Sequence, residues 1–125
     1  MNNIRKSLFA AVLTSTLFAA AASAQMAAPA RMEGGTMVGA NGMTLYTFDK
    51  DAGGKSACNG PCAGNWPPLM ARDGDKASGD WSIVARDDGG KQWAYKGKPL
   101  YFWSKDQKAG DKTGDGFIGA WHVAQ

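Results

Sequence analysis

The chain has 125 residues, with 14 Lys and Arg, 11 Asp and Glu, one His and two Cys. A chain of this length is expected to form one small domain rather than several. Its charges are of mixed sign, and no Lys/Arg cluster is interleaved with aromatic residues. This pattern excludes nucleic acid as an expected partner.

The first 24 residues have the features of a secretory signal peptide (residues 1–24). Arg5 and Lys6 precede an apolar run from Leu8 to Ala22, and the run ends in Ala22-Ser23-Ala24, a small-residue cleavage pattern. The run is too short and wrongly flanked for a membrane span. We therefore expect a periplasmic or secreted product of 101 residues with a net charge of +1 and no membrane span.

The chain after the signal peptide divides into a short N-terminal segment and a β-rich part. Residues 25–35 are small, contain Pro and show no periodicity, which predicts a flexible mature N-terminus. Residues 36–125 contain short runs of β-forming residues separated by Gly, Asp and Asn. They predict a small single all-β domain of short antiparallel strands. Asn41-Gly42, residues 87–90 and Lys96-Gly97 each predict a hairpin turn.

Two similar heptads, LYTFDKD at residues 45–51 and LYFWSKD at residues 100–106, indicate an internal duplication. One shift of 55 positions aligns both heptads and two later tryptophans. The sequence thus predicts repeat units at about 36–70 and 91–125, joined by a connector at 71–90 and related by pseudo-two-fold symmetry. The aligned pairs are Tyr46 with Tyr101, Phe48 with Trp103, Asp51 with Asp106, and Trp66 with Trp121.

Alternation within each heptad predicts which side chains share a face of the strand. Tyr46 and Phe48 are expected to point one way and Leu45 the other. The Asp that ends each heptad is expected to close a turn by accepting a backbone N–H two residues on, and it is a candidate partner for a buried Tyr hydroxyl. The rings are expected to pack a shared core, with an aromatic ligand platform as the alternative.

Three stretches together resemble a known family. They are the repeated Tyr-x-(Phe/Trp)-x-x-Asp pattern, CNGPCAGNWPPL, and the closing GDGFIGAWHV. They resemble the secreted repeat lipoproteins named for a Yx(F/W/Y)xxD motif, over nearly the whole chain after the signal peptide. The resemblance implies an exported duplicated domain and no particular activity. Because no Cys follows the apolar run, a lipid-anchored form is not expected.

The two cysteines, in Cys58-Asn59-Gly60-Pro61-Cys62, favour a disulfide, because Gly and Pro permit a tight turn and an exported domain can keep the bond oxidised. Two alternatives use the same residues. A thiol-redox site is disfavoured by the three intervening residues. A copper site would combine Cys58 and Cys62 with His122, since soft thiolates and imidazole suit copper. A calcium site at Asp106, Asp111 and Asp115 meets the oxygen-ligand requirement but not the EF-hand spacing.

No hydrolase, phosphate-binding or zinc-protease motif is present. The sequence therefore predicts an exported, non-catalytic, envelope-associated or ligand-binding accessory protein, which acts as a monomer on a small ligand or an envelope protein and needs no cofactor. A periplasmic copper-binding or thiol-redox protein is the alternative function.

Overall fold

The structure is a computed structural model that describes residues 28–125. The predicted signal peptide, residues 1–24, lies outside the described residues. The regular structure consists mainly of short strands. In chain order the elements are β1 (Ala30–Glu33), β2 (Thr36–Gly39), β3 (Tyr46–Phe48), the short helix α1 (Pro61–Asn65), β4 (Trp81–Ala85), β5 (Lys91–Tyr95), β6 (Lys98–Pro99), a 3₁₀ turn (Phe117–Gly119) and β7 (Trp121–Val123).

These strands form small antiparallel sheets. β1 pairs with β2, β3 pairs with β7, and β4, β5 and β6 form a sheet in that order. Isolated bridges extend this pairing beyond the sheets, from Tyr46 of β3 to Tyr101 and from Gln92 of β5 to Met70. The prediction of an all-β domain of short antiparallel strands is confirmed.

The hairpin turns follow from residues that accept a left-handed backbone. Gly34 and Gly35 join β1 to β2 with φ angles of 59° and 83°. Lys96 and Gly97 join β5 to β6 with φ angles of 51° and 84°. Two successive positive φ angles match the twist of the flanking strands, and Gly adopts them without steric cost.

The predicted turns at residues 87–90, Lys96-Gly97 and Asn41-Gly42 are confirmed. The turn at residues 87–90 joins the paired strands β4 and β5, and Lys96-Gly97 joins the paired strands β5 and β6. Around the third, the Gly42 N–H donates to the Gly39 carbonyl at 2.9 Å. Val38 then forms an antiparallel bridge with Thr44.

A pseudo-two-fold axis passes between the two heptads. Tyr46 N–H donates to the Tyr101 carbonyl at 2.8 Å, and Tyr101 N–H donates to the Tyr46 carbonyl at 3.0 Å. On its other edge Tyr46 pairs with Val123, whereas Tyr101 pairs with Pro68, which is the position equivalent to Val123. The reciprocal pairing confirms the prediction of two symmetry-related copies.

The predicted alternation separates two hydrophobic clusters. Tyr46 and Tyr101 lie in an aromatic cluster, while Leu45 and Leu100 lie in an aliphatic one. Each heptad strand is therefore buried on both faces and joins the two clusters. The aromatic cluster comprises Tyr46, Cys58, Trp66, Tyr101, Trp103, Ala120 and Trp121, and the aliphatic cluster comprises Ala30, Met37, Leu45, Leu100 and Ala124.

Two strands lie outside the predicted repeat units. Within residues 25–35, which were predicted to be a flexible N-terminus, Ala30–Glu33 form β1 because the Gly34-Gly35 turn returns the chain onto β2. Within the predicted connector 71–90, Trp81–Ala85 form β4 and pair with β5 across the predicted turn at residues 87–90. Each copy thus begins with a hairpin ahead of its heptad. Among residues 28–125, no helix is long and apolar enough to cross a membrane.

Candidate functional site

The tyrosines of the two heptads exchange their acidic partners between the copies. Tyr46 donates its hydroxyl hydrogen to Asp106 Oδ2 at 2.7 Å, and Tyr101 donates to Asp51 Oδ2 at 2.7 Å. Both tyrosines are fully buried. Each phenol therefore depends on a carboxylate supplied by the other copy, which ties the copies together with two charge-assisted hydrogen bonds.

The carboxylates also hold the loops that follow the heptads. Asp51 Oδ1 accepts the N–H of Ala57 at 2.7 Å, and Asp106 Oδ1 accepts the N–H of Thr113 at 2.9 Å. The acceptors lie six and seven residues before these donors, so the expected two-residue spacing was wrong. Asp51 and Asp106 still close the loops that follow them, but across six and seven residues.

Burial controls the protonation of these groups. Desolvation, reinforced by the hydrogen bond to Asp106, raises the pKa of Tyr46 well above its ordinary value of 10.0. Desolvation also raises the pKa of Tyr101, partly offset by the Ser56 hydroxyl. Burial likewise raises the pKa of Asp51, against the lowering effect of its hydrogen bonds. Both phenols therefore remain neutral donors far above physiological pH.

Four rings form a continuous stack across the pseudo-two-fold axis. Trp66 and Trp121, equivalent in the two copies, lie parallel at the centre with ring centroids 3.7 Å apart. Phe48 stacks on Trp121 at 4.1 Å, and its equivalent Trp103 stacks on Trp66 at 4.0 Å. These contacts join the predicted motif residues into one cluster, because the axis brings the two strand faces together.

The tyrosines contact the stack through their ring edges. Tyr46 meets Trp66 at 5.2 Å and Tyr101 meets Trp121 at 5.1 Å between ring centroids, both nearly perpendicular. Edge-to-face and offset-stacked contacts are the favoured aromatic geometries. A close approach by Gly114 permits the stack, because a Cβ there would lie 2.6 Å from Trp66 and 2.9 Å from Trp103.

A buried arginine, which sequence reasoning missed, organises the first copy. The Arg86 side chain is fully buried and forms an ion pair with Asp88 at 3.0 Å. It donates to Gln92 Oε1 at 2.7 Å, to the Cys58 carbonyl at 2.8 Å and to Ser56 Oγ at 3.1 Å. A buried cation requires such complete pairing. Arg86 was overlooked because it falls in the predicted connector, where no periodic pattern marks it.

The cysteines form the predicted disulfide. Cys58 and Cys62 are bonded with their Cα atoms 5.2 Å apart, and Cys58 is fully buried in the aromatic cluster. At the equivalent positions the second copy has Thr113 and Phe117, so the disulfide is confined to the first copy. Phe117 packs against Trp103 instead, with ring centroids 5.0 Å apart.

The structure does not bring His122 into a ligand set with the cysteines. His122 is exposed, and its Nε2 lies 2.8 Å from Asp49 Oδ2. Both sulfurs are engaged in the disulfide. Within the described part of the chain, no group of three or more His, Cys, Asp and Glu side chains is arranged to hold a metal ion.

The aspartates considered for calcium are each used locally. Asp106 accepts hydrogen bonds from Tyr46 and Thr113. Asp111 accepts the backbone N–H of residues 107 and 108. Asp115 accepts the N–H of Val123 at 3.0 Å. The three carboxylates thus fix separate turns of the loop between residues 106 and 123.

A surface groove of about 350 Å³ lies outside the motif core. Its floor is apolar and includes Leu69, Trp93 and Phe102, while Met70 is 48% exposed beside it. Arg72 and Asp75 also line the groove. Asp75 Oδ2 accepts the backbone N–H of Arg72 at 2.8 Å, whereas the Arg72 guanidinium forms no ion pair with residues 28–125. None of these residues was predicted as a site residue, because they come from three separate parts of the chain, residues 69–75, β5 and the second heptad, and the groove appears only on folding.

The fold and its shared core define an internally duplicated, all-β domain whose two copies complete one another. The chain belongs to the family described as a secreted repeat of unknown function (Lipoprotein_15), whose model matches residues 29–70 and 82–125. Both matches begin earlier than the predicted units and take in the hairpins. Neither a curated protein nor a solved structure matches the chain.

Proposed function

We propose that this protein is an exported, non-catalytic accessory protein that binds a small ligand with an apolar body and an anionic group. Membership of a secreted repeat family supports export. The observation that carries the binding role is the groove, which combines apolar side chains with the Arg72 guanidinium, unpaired among residues 28–125, while its carboxylate, Asp75, is held by the Arg72 backbone N–H. Concave sites with few polar groups are typical of small-molecule binding.

The fate of the motif residues supports a role without catalysis. Tyr46, Tyr101, Asp51 and Asp106 satisfy one another's hydrogen bonds, and the tryptophans of the stack are almost fully buried. A general acid or base must reach a substrate, whereas these groups are enclosed. The chemistry that the two heptads share therefore serves the fold, and recognition falls to the groove.

Charge and shape define the ligand class. The exposed Arg72 offers a planar set of donors that suits a carboxylate or sulfonate. Trp93, Leu69 and Phe102 offer an apolar surface for the body of the ligand. A ligand with both features gains apolar burial and one charge-assisted contact together.

Binding of 1-anilinonaphthalene-8-sulfonate tests this proposal, because the probe has an aromatic body and one sulfonate. We expect saturable fluorescence enhancement by the native protein. Arg72→Gln and Met70→Gln are each expected to weaken binding roughly tenfold, the equivalent of about 1.4 kcal/mol. Matched controls are Arg31→Gln, an exposed arginine paired with Glu33, and Met32→Gln, a methionine that is 50% exposed outside the groove.

The two controls are expected to bind the probe as the unmodified protein does. Near-ultraviolet circular dichroism must remain native in every variant, since this probe also binds partly unfolded states. Absence of saturable binding, or equal losses in the groove variants and the controls, would overturn the assignment of the groove.

A further inference from the structure

We propose that the aromatic stack and its two Tyr–Asp pairs form a one-electron relay, in which oxidation of Trp103 by a high-potential one-electron oxidant at the surface ends as a neutral radical on Tyr46 or Tyr101. The proposal concerns the buried core and is independent of ligand binding in the groove. It rests on the order of the rings, their separations and the position of each carboxylate.

The stack provides the path. Trp103, Trp66 and Trp121 follow one another with ring centroids 4.0 and 3.7 Å apart. Indole is the most easily oxidised of these aromatic groups after the deprotonating phenol, and electron exchange between rings in van der Waals contact is rapid. An electron vacancy created at one indole is therefore shared among all three.

The two ends of the stack differ, and the difference gives the path a direction. Trp103 ends the stack on one side, where it is 8% exposed and partly shielded from solvent by Phe117, which is itself 42% exposed and packs against it at 5.0 Å between ring centroids. Its symmetry equivalent on the other side is Phe48, whose benzene ring is far harder to oxidise. Trp103 of the second copy is therefore the ring that the external oxidant oxidises first. Phe48 of the first copy ends the stack on the opposite side and takes no part in electron transfer.

The tyrosines provide the end point. Each phenol lies against an indole of the stack and donates its proton to a carboxylate oxygen 2.7 Å away. When a tyrosine gives one electron to the oxidised indole, its O–H bond breaks and the proton moves to Asp Oδ2. The indole is restored, and the products are a neutral tyrosyl radical and a protonated aspartic acid. An external one-electron donor reverses both transfers.

The relay uses as proton acceptors the carboxylates that already tie the two copies together at the phenols. Oxidation of a phenol without loss of its proton is unfavourable, so a hydrogen-bonded base is required at the oxygen atom. Asp106 is 8% exposed and serves Tyr46. Asp51 serves Tyr101, where Ser56 Oγ also lies 2.6 Å from the phenol oxygen.

Flash-quench oxidation tests the relay in the full mature chain. Photogenerated ruthenium(III) tris-bipyridine, with a cobalt(III) pentaammine complex as electron acceptor, serves as the oxidant. Transient absorption and electron paramagnetic resonance distinguish tyrosyl from tryptophanyl radicals. The chain has three tyrosines, so Tyr95→Phe removes the one outside the stack. We expect this variant to form the tyrosyl radical with an unchanged yield, and more slowly in D₂O.

Trp103→Phe tests the entry. It copies the Phe48 end of the stack, and we expect it to slow tyrosyl formation roughly tenfold or more. Trp81→Phe, which alters a tryptophan outside the stack, is the matched control and is expected to leave the rate unchanged. Loss of the tyrosyl signal in Tyr95→Phe, or equal rates in the two tryptophan variants, would overturn the proposal. The Tyr95→Phe result decides the matter even if Trp103→Phe does not fold.

Discussion

Tyr46→Phe removes one of the hydrogen bonds exchanged between the copies and leaves the ring in place. Tyr46 is fully buried and donates to Asp106 Oδ2 at 2.7 Å. Its oxygen also accepts the N–H of Gly114 at 3.2 Å. A hydrogen bond to a charged group contributes about 1.5–3 kcal/mol, and a buried carboxylate and N–H left without partners add to the loss. We therefore expect the free energy of unfolding to fall by about 2–4 kcal/mol.

Urea denaturation followed by tryptophan fluorescence measures this change, with stability obtained by linear extrapolation. Tyr95→Phe is the matched control, because Tyr95 is half-buried on β5 and outside the exchanged pairs. Its effect is expected to stay within about 0.5 kcal/mol. A Tyr46→Phe variant whose stability also lies within about 0.5 kcal/mol of the unmodified protein would refute the reasoning.

Three further predictions concern packing, pH and backbone strain. Gly114→Ala is expected to lower the free energy of unfolding by about 1–3 kcal/mol, because the new methyl group would collide with the aromatic stack. Gly64→Ala, whose methyl group would lie in open space within α1, is the control and is expected to be neutral or stabilising. Thermal denaturation compares the two variants, and equal effects would contradict the packing argument. Folding raises the pKa values of Tyr46 and Tyr101, so above pH 10.0 the folded state retains protons that the unfolded state loses. The free energy of unfolding is therefore expected to fall as the pH rises above 10.0, by up to about 1.4 kcal/mol per pH unit for each tyrosine. Urea titrations across that range check the slope, which should be shallower in Tyr46→Phe. Ile118 is exposed and has a φ angle of 45°, a conformation that is strained for a β-branched residue and tolerated by Asn. Ile118→Asn is therefore expected to raise the melting temperature, and a lower melting temperature would contradict the argument from backbone strain.

The sequence was sufficient to predict features that local pattern controls. The heptads alternate between two faces, and the structure places Tyr46 and Leu45 in separate clusters accordingly. The turn signals and the spacing of Cys58 and Cys62 also gave correct local structure. The constant shift of 55 positions was enough to predict the duplication, because equivalent residues must occupy equivalent environments.

Features that depend on how the copies meet could not be predicted. Alternation shows which way Tyr46 points but not whether Asp51 or Asp106 receives its hydrogen bond. The structure selects Asp106, since the antiparallel pairing of Tyr46 with Tyr101 places each phenol beside the loop of the other copy. β1 was missed for a related reason: at 4 residues it is too short for its alternation to mark a strand, and only pairing with β2 defines it.

The network around Arg86 shows the same limit. Besides the nearby Asp88 and Gln92, its hydrogen-bonding partners come from residues 56–59, which are remote in sequence and meet Arg86 only in the folded domain. A lone arginine between a strand and a turn carries no sequence signal of burial, because most arginines in such positions are exposed. The groove beside Trp93 is equally a product of tertiary structure.

The exchange of tyrosine and aspartate between copies is the central claim, and a pair of double-mutant cycles tests it most directly. One cycle combines Tyr46→Phe with Asp106→Asn, and the other combines Tyr46→Phe with Asp51→Asn, the aspartate of the same heptad. We expect a coupling energy of about 1.5–3 kcal/mol in the first cycle and less than about 0.5 kcal/mol in the second. A larger coupling to Asp51 than to Asp106 would contradict the exchange.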